Sequence, residues 1–155
     1  METNFTNKNK FKIAIHNEHG KQLEFFAKSI TFGGIQVGVT NVPTPVKSMK
    51  LSGSTYSCDD LGIDFYLDEE WNTYKELVKW LKQIRNGNTI QSRNMYLNDI
   101  SVEILDTKYK HSFFIDCKDC FPSSITSISM DEDDDTTTIV CHVDFACNDY
   151  IIDNE

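Results

Sequence analysis

The sequence predicts a mainly β fold, a barrel or sandwich of antiparallel strands flanked by one α-helix at about residues 69–85, with an extended arm at about 30–61. Three observations lead there. Short runs of alternating apolar and polar residues, the period of a half-buried strand, recur along the chain. Only one segment carries the three-and-four spacing of a helix. One long stretch has so little apolar content that it cannot build a core of its own.

Met1 to Lys10 is polar and reads as a flexible tail. Phe11, Ile13 and Ile15 alternate with Lys12, Ala14 and His16, and Leu23, Phe25 and Ala27 follow the polar segment Asn17–Gly20. That pattern predicts a hairpin with Gly20 in its turn. Ile30 to Leu61 holds Gly33, Gly34, Gly38, Pro43, Pro45, Gly53 and many Ser and Thr residues. Strand pieces such as Ile35–Thr40 and Val46–Ser52 predict a two-stranded arm leaving the body; the competing expectation is a surface meander packed on its own domain.

Leu61 to Gly87 runs from a strand directly into the helix. Ile63, Phe65 and Leu67 alternate with Asp64 and Tyr66. Asp68 is the expected N-cap, with Glu69 and Glu70 at the positive end of the helix dipole. Trp71, Tyr74, Leu77, Val78, Leu81 and Ile84 form the apolar face, with Trp80 near its edge. Lys75, Glu76, Lys79, Lys82 and Gln83 cover most of the rest. Lys82 and Arg85 suit the negative end, and Gly87 suits a left-handed C′ position.

A loop follows at Asn86 to Asn98. Ile100, Val102 and Ile104, then Tyr109, Phe113 and Ile115, predict two strands around a turn near Asp106–Lys108. Cys120–Ser124 is expected to interrupt them. Ile125 is out of phase with Ile128 and Met130, which predicts a bulge near Thr126–Ser127. Asp131 to Asp135 reads as an acidic turn, and Ile139, Cys141, Val143, Phe145 and Cys147 form the most regular strand.

At 155 residues the chain fits one domain, 1–155. With 39% hydrophobic and 12% aromatic residues the composition is globular. No apolar run approaches the ~20 residues of a membrane span, and METNFTNKNKFK contains no apolar signal region. A cytosol-like compartment and no membrane partner are therefore expected. The net charge of -9 opposes binding to free nucleic acid. Five cysteines, an odd number, argue against a complete disulfide framework and for small buried hydrophobes.

Candidate sites are few. Cys117 and Cys120, with His111, Cys141 and His142, form the one possible zinc set, but adjacent strand residues such as Cys141 and His142 point to opposite faces. A redox role for Cys117 and Cys120 lacks the helix that would follow. Asp131–Asp135 lacks the glycine and terminal glutamate of a calcium loop. Gly33–Gly34 has no Lys-Ser/Thr after it, so it is no phosphate loop, and no nucleophile motif occurs. The expectation is no enzyme, no cofactor, no metal, and no catalytic or cofactor-binding residue.

Four places in this order carry a family resemblance: Phe25–Ser29 leading to Phe32-Gly33-Gly34; Asp64 to Glu70 followed by Trp80; Cys120 to Ile125; and Asp131–Asp135 followed by Val143-Asp144-Phe145 and Tyr150. Across about residues 10–152 the chain resembles the T4-like major tail tube proteins of contractile-tailed bacteriophages, whose fold also serves type VI secretion tubes. The resemblance implies hexameric rings stacked into a hollow tube, located in the virion after assembly in the host cytoplasm. It implies as partners other copies of the chain, the tail sheath protein, the tape measure protein and baseplate tube or initiator proteins, with viral DNA passing through the bore unbound. The five cysteines are more than that role needs. A baseplate tube, tube-initiator or type VI tube protein is the nearest alternative; a monomeric acidic binding module or small zinc protein is the alternative of another class. If the tube reading holds, the basic helix side faces the sheath, and strand faces with acids such as Glu103 and Asp144 line the bore.

Overall fold

A computed structural model describes residues 8–15, 27–89, 97–133 and 138–153. Its organising element is one long strand. In chain order the elements are β1 (Phe11–Ile15), β2 (Ala27–Thr31), β3 (Ile35–Pro43), β4 (Ser48–Cys58), β5 (Leu61–Tyr66), α1 (Asn72–Arg85), β6 (Asn98–Leu105), β7 (His111–Ile125), β8 (Val140–Ala146) and β9 (Asp149–Asp153). The first part of β7 pairs with β6 on one side and β9 on the other, and β6 pairs with β1. The last part of β7 pairs with β8, which leads to β5 and β2. All these pairings are antiparallel, so β7 belongs to both layers of a β-sandwich.

β7 changes layers through two bulges. Ile100 pairs with Cys117 but Asn98 pairs with Cys120, leaving an extra residue at Lys118–Asp119. Asp119 sits there at φ 53, in the left-handed region. The second bulge is at Ser123, between the Pro122–Phe145 and Ser124–Asp144 pairs, and the Ser123 hydroxyl donates to the Asp144 carbonyl at 2.9 Å. Each bulge flips the alternation, so Cys117, Cys120 and Pro122 are all buried. Buried Pro122 stands next to the crossover, where a missing N–H is tolerated. The expected bulge at Thr126–Ser127 is thus corrected to Ser123, and the expected interruption at Cys120–Ser124 to a continuous strand.

The core lies between the layers. Leu61, Ile63 and Phe65 of β5 meet Cys141, Val143 and Phe145 of β8, with Ile100 of β6 and Cys117 and Cys120 of β7. Helix α1 adds Leu77 and Trp80, and the Trp80 ring lies 5.8 Å from that of Phe145. Trp80 is 1% exposed. It belongs to the centre of the packed face rather than its edge, because that face runs Thr73, Leu77, Trp80.

The helix starts later than expected. A turn closes from the Trp71 amide to the Asp68 carbonyl, and helical bonding begins from Lys75 to Trp71. Trp71 occupies the N-cap position at φ 59. Asp68 still satisfies a first-turn donor, accepting from the Asn72 amide at 2.8 Å, but from further upstream. Glu69 and Glu70 therefore precede the helix. Gly87 donates to the Ile84 carbonyl, and no described glycine has a positive φ, so its expected left-handed C′ role is corrected. The turn after β6 forms as expected, with Asp106 accepting from the Lys108 and Lys110 amides. Tyr109 belongs to that turn, at φ 59, and not to a strand.

Residues 1–7 of the expected tail, the Gly20 turn with Leu23 and Phe25, and Asp134–Asp135 fall outside the described residues, while at Lys10 the tail expectation is corrected, since Lys10 is buried and its carbonyl accepts from the Leu105 amide. The described pairings of the first two strands are β1 with β6 and β2 with β5. Cys120 is paired with Cys147 as a disulfide, with a Cα–Cα distance of 4.4 Å, which corrects the expectation of unpaired cysteines at those two positions. Cys58, Cys117 and Cys141 are free.

Candidate assembly surface: the arm, its root and the outer faces

β3 and β4 form a two-stranded sheet separate from the sandwich. The arm therefore exists, and the packed meander does not. Its apolar residues stay in solvent: Ile35, Val37, Val39, Met49, Leu51 and Tyr56 are about half exposed, and Val46 at the turn is 94% exposed. Thr44 closes that turn by bonding to Lys47. Midway along, Gly38 and Gly53 approach so closely that a Cβ on Gly53 would lie 2.9 Å from the Gly38 carbonyl oxygen, and the register shifts there.

The root of the arm is clasped by β9. The Tyr150 hydroxyl donates to the Asp59 carbonyl at 2.8 Å and accepts from the Gly33 amide at 3.3 Å. Its ring meets Phe32 edge-on at 6.3 Å. Asp59 in turn donates its amide to the Gly34 carbonyl and receives Gln36 Nε2 on its carboxylate. A Cβ on Gly33 would collide with the Asp59 backbone, so both chain segments leave the body side by side only because residue 33 is glycine. Desolvation raises the Tyr150 pKa, keeping the phenol a donor.

The two outer faces of the sandwich differ. On the β2/β5/β8 layer, His142 Nδ1 lies 2.5 Å from Asp64 Oδ1 and Nε2 lies 3.0 Å from Asp144 Oδ1. Ser29 donates to Asp64 and Ser124 to Asp144. Gly62 makes room, since a Cβ there would lie 2.9 Å from His142 Cε1. The bond to Asp64 raises the His142 pKa, and Asp144 adds to it. On the other layer, Ser101 donates to Asp116, and Lys118 pairs with Asp99 at 3.1 Å. Glu103 pairs with Lys12 and Phe114 in register. Glu103 and Asp144 thus stand on outer faces of different layers, turned away from one shared core.

The cysteine–histidine set is not assembled. Cys120 is committed to Cys147, while burial pushes the Cys117 thiol up to about 12 and the Cys141 thiol up to about 11. Both stay protonated and are poor ligands. His142 points to the opposite face from Cys141 and is held by two carboxylates. His111 lies outside what is described of side chains. Among the described residues no group of three or more His, Cys, Asp or Glu side chains is arranged to hold a metal ion.

The described residues thus form an antiparallel sandwich with one helix, an extruded apolar hairpin and outer faces of paired polar groups. The sequence matches the phage tail tube protein family over residues 2–153. The chain belongs to that family. It is a structural tail tube protein, as the motif order implied. A comparison with curated proteins finds no match. Among solved structures, the chain is similar in fold to the sheath-tube complex of an extracellular contractile injection system, PVC, in the extended state, with TM-score 0.72 and 16% identity over 97% of this chain and 93% of that one. It is also similar to the tube-terminating cap of the anti-feeding prophage, with TM-score 0.76 and 13% identity over 100% and 95%, and to the PVC sheath/tube terminator, with TM-score 0.73 and 14% identity over 97% and 97%. At these identities the likeness concerns the fold.

Of the features that matter for a tail tube protein, the arm was legible from its thin apolar content. The Tyr150 clasp was not, because its partners Gly33 and Asp59 are about a hundred residues away in the chain. The His142–Asp144 half of the polar network had a signal, since residues two apart share a strand face.

Proposed function

We propose that this protein, as a single domain, closes into hexameric rings that stack into the hollow inner tube of a contractile tail. The arm of each copy joins it to its neighbours. The sheath contracts outside, the tape measure protein fills the bore before release, baseplate tube or initiator proteins seed the first ring, and DNA passes through. No catalytic step is involved. The protein assembles in the host cytoplasm and ends in the virion.

The observation that carries this reading is the arm: a hairpin of half-exposed apolar side chains, rooted by Tyr150, that has no partner layer among the described residues. Such surface marks an interface. The outer strands β1, β2 and β9 supply further edges that a closed ring can pair. On the exposed side of α1, Lys75, Lys79 and Lys82 flank Tyr74 and Val78, which suits the sheath side. Two faces are candidates for the bore: the Asp64–His142–Asp144 face, framed by Ser29 and Ser124 and also carrying Lys28, and the Glu103 face, whose acids are interspersed with Lys12 and Lys118. A net negative charge along the channel would repel phosphate.

A cap or terminator role is the second reading. It is favoured by fold likeness to the cap and terminator as high as that to the tube. Size exclusion with negative-stain microscopy tests both: long stacked tubes support the main tube, single closed rings the terminator, and a monomer of 17.8 kDa overturns the assembly reading.

A further inference from the structure

Each strand of the arm changes its apolar side halfway along. Strand alternation and register put Ile35, Val37, Val39, Tyr56 and Ser52 on one side of the hairpin, and Gln36, Thr40, Val42, Leu51 and Met49 on the other. The close approach of Gly38 to Thr55 and Gly53 on that second side agrees with this facing. Near the root the first side is apolar and the second carries Gln36 and Ser57. Near the tip the second side is apolar, with Val42 paired to Met49 and Thr40 to Leu51, while the first carries Asn41 and Lys50. All the apolar residues on both sides are at least 39% exposed. The switch lies between Val39 and Val42 on β3 and between Leu51 and Tyr56 on β4, beside the register shift between Val37 and Val39, where three residues of β4 oppose one of β3 and both strands place glycine.

A hairpin that packed on one neighbour would be apolar along one side, as an edge-on amphipathic sheet is. This one is apolar on opposite sides at its two ends. The geometry points to an arm clasped between two further copies of this chain at once, its root pressed on one copy and its tip, by the opposite side, on another. The inference rests on the tail tube reading and specifies the contact within it. Charge indicates the occupant. Residues 35–58 contain Lys47 and Lys50 and no acid, whereas the rest of the chain carries 24 acids against 13 bases, a net charge of -11. A weakly basic arm from one acidic body fits the acidic body of the next copy. Its length fits as well: the nine residues of β3 extend about 30 Å.

Photocrosslinking in assembled tubes tests this. Benzoylphenylalanine replaces Val37 in one preparation and Leu51 in another, and tubes are built from an equal mixture of isotopically light and heavy chains. Both positions are exposed, so the fold is kept, and incorporation into tubes verifies it. The expected result is light–heavy crosslinks from each position, landing in different peptides of the partner bodies. Crosslinks within one chain only, or both positions landing on the same peptide, overturn the two-copy arm while leaving the tube reading in place. Failure of the unmodified chain to assemble under any condition overturns the tube reading itself, and this inference with it. Separately, Lys47→Glu combined with Lys50→Glu is expected to raise the concentration needed for assembly about tenfold; an unchanged threshold overturns charge as the selector of the occupant.

Discussion

At the scale of single residues, three side chains make testable contributions. Thr73 is fully buried in the packed face of α1, and its hydroxyl has no hydrogen-bond partner. Replacing it with the isosteric valine removes a desolvated polar group, so Thr73→Val is expected to stabilise the fold by about 1 kcal/mol in urea unfolding; a loss of stability would mean the hydroxyl is satisfied. Asp68 holds the first helical amide from outside the N-cap position, and Asp68→Ala is expected to cost about 1 kcal/mol by the same measurement. His142 has a pKa raised chiefly by Asp64, so it binds its proton more tightly folded than unfolded. Its contribution is therefore full below the ordinary histidine value of about 6.5 and is lost as pH rises through the raised folded value. Because its side chain is 42% exposed, screening keeps the effect below about 1 kcal/mol. The difference in stability between the parent and His142→Gln should shrink from pH 6 to pH 9, and a difference that does not change with pH would remove the imidazolium from the account. Of these residues only Asp68 was legible as structural from the sequence, because capping is local. Thr73 looked like a polar position within a helical pattern, and Asp64 meets His142 across 78 positions of chain.

At the scale of elements, the sequence announced strands wherever alternation was undisturbed, and β5 and β8 are where it said. It misread β7, because two bulges each reset the phase and the proline looked like a stop. A bulge costs one residue in a local pattern, but its location depends on the partner strand, which no local window contains. The late start of α1 has a similar origin: Asp68, Glu69 and Glu70 carry every mark of a first turn, yet the turn from Asp68 to Trp71 comes first. β9 went unnoticed as a separate strand because Ile151 and Ile152 are adjacent and exposed, without alternation. The arm, by contrast, was legible through what it lacks. Its independence predicts that it can be removed cleanly. Ile35 and Cys58 are paired neighbours at its base, so replacing Gln36–Ser57 by a short glycine link should leave the sandwich folded, with its melting temperature within a few degrees of the parent, and abolish stacking. Long tubes from the deletion variant would show that the arm is not the stacking element. Tyr150→Phe is expected to act more mildly, loosening the arm at its root and raising the assembly concentration without lowering the stability of the sandwich by more than about 3 kcal/mol, the upper net value of the two hydrogen bonds its hydroxyl makes.

At the scale of the whole molecule, the surface divides into an arm that is weakly basic and apolar, two outer faces of paired polar groups, and a helix whose exposed side carries three lysines. A ring has an inside and an outside, and these surfaces must be distributed between them. If the Asp64–His142–Asp144 layer lines the bore, Lys28, which lies over the Tyr66 ring on that layer at 5.7 Å, is enclosed with it. Lys75, Lys79 and Lys82 then remain on the outside of a tube without its sheath. A bulky amine-reactive reagent too large for the bore therefore separates the two arrangements. In free subunits all four lysines are expected to react. In assembled tubes Lys28 should become protected by at least about tenfold, the size of a binding difference of 1.4 kcal/mol, while Lys75, Lys79 and Lys82 keep their reactivity. Reversal of that pattern, with the helix lysines protected and Lys28 open, would place the helix toward the channel. The channel would then be lined by basic side chains that attract phosphate, and the acidic excess of this chain would have to serve the outside of the tube instead.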